Sequence, residues 1–215
     1  MVRYSVITSA FAVLVLTACA QQSAFSPLAD DALAPVDRPK PVVGETATWC
    51  IGNSDGETCD QVETKVLNIA ENGCATVFER EGTQSYCPDE GPFFLPTAWD
   101  NEDFGKGRRE WNAVFGELWP LKVGTRYIFL EKGEDHNNKP WVRHGELRVL
   151  GAEKMTVPAG TFDTYRITVH LGYNRSYDMN YAPELGSLVY FDRGGPREKV
   201  AGQPRFLKAI HHPQG

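Results

Sequence analysis

Long hydrophobic runs are missing from this 215-residue chain. The most apolar stretch, Val6 to Leu16, is too short to cross a bilayer as a stable helix, and no later segment is long and apolar enough either. A concentrated basic face is also missing. Lys and Arg are scattered, the one tight cluster is Lys106-Gly107-Arg108-Arg109, and the net charge is −6. Nucleic acid is therefore not an expected partner. No G-x-S-x-G, H-E-x-x-H or P-loop pattern occurs, so the common sequence marks of a serine hydrolase, a zinc protease and a nucleotide-binding loop are absent. Cysteine is sparse. There are five, an odd number, and no two have C-x-x-C spacing, which argues against a zinc ribbon or a dithiol redox centre.

What is present begins at the N-terminus. Arg3 precedes the apolar run, which ends in Leu16-Thr17-Ala18-Cys19. This tetrapeptide resembles the lipobox of bacterial lipoproteins. The resemblance implies removal of residues 1–18 as a signal peptide, a diacylglycerol on the Cys19 thiol, and Cys19 as the first mature residue. Several acyl chains, at about 0.8 kcal/mol per buried CH₂, anchor durably where one would be marginal. Cleavage removes only Arg3 among the charges, making the mature chain one unit more negative. Ala20, rather than Asp, follows the cysteine. In these lipoproteins that leans towards the outer membrane, with the domain facing the periplasm.

Residues 19–42 contain Pro27, Pro35, Pro39 and Pro41 without sustained periodicity and read as a flexible tether. About 23 flexible residues have a root-mean-square reach on the order of 25–30 Å. Residues 43–215 read as a single β-rich domain. Tyr165, Ile167, Val169 and Leu171 alternate with polar residues, the period of a half-buried strand. Val62 to Ile69 alternates too, but its apolar phase slips between Val66 and Leu67, as at a bulge. Asn53 to Gly56, Glu71 to Gly73 and Pro158 to Gly160 signal turns. Arg108 to Trp119 reads as one short helix, because Trp111, Phe115 and Leu118 fall at i, i+4 and i+7. "VGETATW" from Val43 and "VGTRYIF" from Val123 open similar successions of strands, so the domain is read as two related meanders in one sheet system.

"WPLKVGTRYIF" (Trp119 to Phe129), "VPAGTFDTYRI" (Val157 to Ile167) and "YAPELGSLVYF" (Tyr181 to Phe191) together resemble a family of exported bacterial β proteins of unknown function. The resemblance covers residues 119–191 well and 43–100 loosely. It implies a mainly β fold, a twisted antiparallel sheet or open barrel-like meander, and lends no catalytic residues.

With Cys19 assigned to lipid, Cys50, Cys59, Cys74 and Cys87 remain, and export implies an oxidising compartment. Pairs Cys50–Cys59 and Cys74–Cys87 are expected, since each spans one predicted turn. His144 and His170 with Glu146 could in principle hold a metal, but histidines on a solvated strand face are commoner, so no metal and no cofactor is expected. Asp100 to Asp103 and Glu134 to Asn138 are acidic runs that read as solvated turns; a hydrolase using them as acid and base is the alternative. Arg108, Arg109, Trp111 and Phe115 combine aromatics with cations and form the candidate ligand-binding set. The expected protein is a lipid-anchored, non-catalytic envelope lipoprotein. It binds a small or lipid-like ligand or a partner protein in the periplasm, or serves a purely structural role.

Overall fold

A computed structural model describes residues 25–52, 59–80, 82–87, 95–101, 105–134, 137–172, 175–193 and 202–213. Cys19 and the expected signal peptide lie outside them. Alternating sequence resolves into strands β1 (Phe25–Pro27), β2 (Thr46–Ile51), β3 (Asp60–Ile69), β4 (Ala75–Glu79), β5 (Gly82–Tyr86), β6 (Ala98–Asn101) and β7 (Gly105–Phe115). These are followed by β8 (Arg126–Glu134), β9 (Pro140–Val157), β10 (Gly160–Leu171), β11 (Arg175–Ala182), β12 (Ser187–Arg193) and β13 (Gly202–His211).

From β2 onward every strand pairs antiparallel with the next, and β13 returns to pair with β2. The result is a closed up-and-down ring of twelve strands, with β1 added outside it on β9. The mainly β, barrel-like antiparallel meander expected from sequence is present, and it closes, which removes the two exposed edges an open sheet would carry. The seam uses the C-terminus. His211 lies opposite Thr46, and His212 Nδ1 sits 3.1 Å from a Glu45 carboxylate oxygen.

The ring divides into two six-stranded meanders, β2–β7 and β8–β13, and both open alike. Gly44 and Gly124 take positive φ of 86° and 84°, a conformation that favours glycine. Gly44 N–H donates to Val66 O at 2.9 Å and Val66 N–H to Glu45 O at 2.9 Å. Gly124 N–H donates to Val149 O at 3.0 Å and Val149 N–H to Thr125 O at 2.9 Å. The echoed Val-Gly motifs are thus one clasp used twice, each fastening the start of a strand to the strand beside it.

A round twelve-stranded barrel is wider than side chains normally fill. Here large residues and non-strand segments occupy the inside. Phe129, Leu147, Tyr165, Ile167, Met179 and Tyr181 are essentially buried, joined by Leu118 and Leu121 from the chain between β7 and β8. A second cluster joins the end of the β9–β10 hairpin to β2, β12 and β13 through Met155, Val157, Val189 and Leu207. Ala159 N–H donates to Leu207 O at 3.0 Å and fixes that hairpin end on β13. The opposite face of the strands carries exposed Glu63, Lys65, Glu110 and Lys132.

Two local expectations change. The span Arg108–Trp119 is not helical; through Phe115 it is strand β7, and among the described residues no segment is a helix. The apolar spacing does not mark one face: a register shift between Ala113 and Phe115 puts Phe115 on the side opposite Trp111, and Leu118 lies beyond the strand. The long partner β8 then satisfies the backbone. The segment read as a tether is docked over much of its length. β1 pairs Phe25, Ser26 and Pro27 with Met155, Lys154 and Glu153. Farther on, Val36 and Leu121 exchange backbone hydrogen bonds of 3.0 and 2.8 Å, and Tyr165 donates its hydroxyl to Ala34 O at 2.6 Å. Leu33 and Val36 gain burial against the first core, which outweighs the freedom that a proline-rich coil would keep.

The slip anticipated near Val66 is a register shift that leaves Leu67 without an opposite residue on β4. Cys50 is joined to Cys59 and Cys74 to Cys87, with Cα separations of 5.3 and 4.0 Å.

Candidate functional site

The register sorts the expected binding set onto two faces. Arg108 lies opposite Glu134 and Trp111 opposite Glu131, which puts their side chains on opposite sides of β7. A register shift between Ala113 and Phe115 returns Phe115 to the Arg108 side. Trp111 is buried and meets Phe129 edge-on, with ring centroids 4.7 Å apart. Phe115 is 58% exposed, with the Arg126 guanidinium 5.8 Å from its centroid. The side chain of Arg109 lies outside the described residues; its backbone pairs with Gly133. Arg108 and Phe115 therefore lie on the face opposite Trp111. Trp111 belongs to the core.

Its surroundings show how the inner wall is built. Glycines on β7, β8 and β9 lie beneath aromatic rings: a Cβ on Gly107 would fall 2.1 Å from Trp99, on Gly133 2.2 Å from Trp141, and on Gly145 2.1 Å from Phe129. Each glycine is the cross-strand partner of the ring that covers it. The rings lie flat against bare backbone, where any side chain would push them inward. Between them the wholly buried Glu131 carboxylate faces Arg143 at 4.0 Å, and that guanidinium stacks 4.3 Å from the Trp141 centroid.

On the outer face a different feature includes Arg108. Asn68, Thr76, Ser85, Ala98 and Arg108 are successive cross-strand partners on β3 to β7 and form one row. Four short side chains make a shallow floor. The turn carrying Asn72 and the Cys74–Cys87 bridge border it on one side, and Arg108 with Glu110 on the other. The cleft encloses about 470 Å³ and opens to solvent. Arg108 donates to Glu134 at 3.1 Å, and that hydrogen bond, then the carboxylate's charge, pushes the guanidinium pKa further up. Chemically the row offers an amide, two hydroxyls and a permanent cation, a set suited to a hydroxylated or anionic small molecule.

The other sequence candidates do not assemble. His170 lies opposite Glu146, but that carboxylate is held by Arg148 and Arg126, whose hydrogen bonds keep its pKa below the ordinary range. Among the described residues no three His, Cys, Asp or Glu side chains come together as a metal site. Glu134 is engaged by Arg108, Asp100 is exposed on β6, and Asp103 and His136 lie outside the described residues.

Three polar side chains are buried where β9, β10 and β11 meet. Asn180 donates through Nδ2 to Glu153 Oε1 at 2.7 Å and to Thr164 Oγ1 at 2.9 Å, and Thr164 donates to Glu153 O at 2.8 Å. Nearby, burial pushes the Tyr190 phenol up to about 12, helped by Asp192 and Asp178, and burial alone pushes Tyr181 up to about 12. Unfolded tyrosines ionise near pH ~10. The folded state therefore keeps protons the unfolded state has lost, and stability held below pH ~10 falls as pH rises towards about 12. A tyrosinate absorbance titration should show these two ionising late or only with unfolding; normal titration of both in the folded protein would contradict their placement.

No protein-family model and no curated protein matches the chain. Two solved structures resemble it. One is a protein described as exported, with a YmcC-like fold, from Bacteroides fragilis: 12% identity, a TM-score of 0.45, and coverage of 83% of this chain and 100% of that one. The other is a protein described as a lipoprotein from Parabacteroides distasonis, with 12% identity, a TM-score of 0.40 and the same two coverages.

Proposed function

We propose that this protein is a non-catalytic envelope lipoprotein, anchored through lipid on Cys19, whose barrel presents the outer cleft over β3–β7 to a small polar ligand in the periplasm. The observation that carries the reading is Leu16-Thr17-Ala18-Cys19 ahead of a domain with two disulfide-bonded pairs, the bond type of an oxidising compartment. Ala20 supports the outer membrane as the destination. The packed inner face gives no support to a lipid-like ligand held inside the ring, so binding is assigned to the outer row.

Replacing Cys19 with Ser is expected to move essentially all of the protein from the membrane to the soluble fraction. A variant that stays in the membrane pellet would refute the anchor. For the cleft, native mass spectrometry of the mature protein should find an added mass that denaturation releases, and Arg108→Ala should lose it while unfolding at the wild-type urea concentration. The variant removes an exposed side chain whose surface ion pair is screened by solvent, so little stability is lost with it. Retention of the added mass by Arg108→Ala would remove this cleft from the binding site.

A further inference from the structure

Between Cys19 and Phe25 the chain has five residues, and from Phe25 onward it is fastened to the barrel. β1 is hydrogen-bonded to β9, the Phe25 ring meets Tyr190 at 5.7 Å, Leu28 N–H donates to Ala152 O at 2.9 Å, and the chain continues docked to Val36. Six residue steps, fully extended, reach about 20 Å. A fully flexible linker to residue 42 would instead let the domain tumble freely above the bilayer.

We infer that β1 is a short leash that holds one defined side of the barrel, the β1 edge beside Met155 and Tyr190, against the lipid bilayer surface. The inference rests on the lipid at Cys19 assigned above. The occupant of this surface is the headgroup layer, because five residues between Cys19 and Phe25 span too little for any other side to face it while β1 stays paired. Farther up β9, Val142 lies twelve residues from Lys154, the partner of Ser26. At about 3.3 Å per residue that is roughly 40 Å along the strand. This end is directed away from the membrane. The protein's net charge of −6 gives no electrostatic attraction to anionic lipid, so the leash, rather than charge, sets the orientation.

The test uses the full lipidated protein in vesicles of phosphatidylethanolamine and phosphatidylglycerol that contain a headgroup-attached quencher. A fluorophore is placed on Ser26→Cys or on Val142→Cys, both exposed positions. Quenching at position 26 should exceed that at 142 severalfold, and a ten-residue Gly/Ser insertion between Gln22 and Ser23 should abolish most of the difference. Vesicle-bound protein with equal quenching at both positions would overturn this inference and leave the anchor standing. So would a difference that the insertion does not change. Protein that fails to stay on the vesicles at all would overturn the anchor, and the leash with it.

Discussion

Phe129→Ala is expected to destabilise the barrel by about 3–5 kcal/mol, the range for removing a buried phenylalanine. Phe129 is fully buried on β8, edge-on to Trp111 and stacked on Tyr127 at 5.4 Å. It lies over Gly145 on β9, where an added Cβ would come within 2.1 Å of the ring. Gly145→Ala should therefore also destabilise, by about 1–3 kcal/mol, through overpacking. The two changes should not add. Alanine at 145 fills part of the space left by the lost ring, so the double variant should be more stable than the sum of the single losses predicts, by about 1 kcal/mol or more. Urea unfolding of the three variants measures this directly. Strict additivity would mean that contact between ring and glycine is not what orders the inner wall.

Asn180→Leu is the second large loss, about 2–4 kcal/mol. Asn180 is 2% exposed and its amide donates to both Glu153 and Thr164. Leucine supplies no donor and leaves a carboxylate that is 7% exposed without this hydrogen bond. Removing one member of a buried polar pair costs more than the pair's net worth, because the remaining group has been stripped of water. Adding Glu153→Met should recover much of the loss, since the charge then disappears along with its donor. Urea midpoints for the single and double variants decide the matter. A near-wild-type midpoint for Asn180→Leu would show that this network is peripheral to stability.

Local pattern carried much of the architecture. The alternation from Tyr165 to Leu171 is β10, the phase slip after Val66 is a register shift, and the two Val-Gly motifs are equivalent clasps. Each of these signals lies within a few residues. Closure of the ring does not, because it depends on β13 meeting β2 across most of the chain, and nothing near Phe206 states that partner. Trp111, Phe115 and Leu118 have helical spacing but do not share a face, because the shift at Val114 is fixed by pairing with the distant β8. The docked segment was hidden by its prolines; its partners, Leu121 and Tyr165, lie far along the chain. Arg108 was visible as part of a site, but the floor beside it was not. Asn68, Thr76, Ser85 and Ala98 come from four different strands and become neighbours only once register is set.

The account's central claim is the lipid on Cys19, and intact-mass measurement of the protein extracted from membranes tests it most directly. The predicted result is a chain that begins at Cys19, with residues 1–18 removed, carries a covalent diacylglyceryl adduct and is lighter by four hydrogens for the two disulfides. An unmodified chain, or one that begins at any other residue, would contradict the anchor and the orientation built on it.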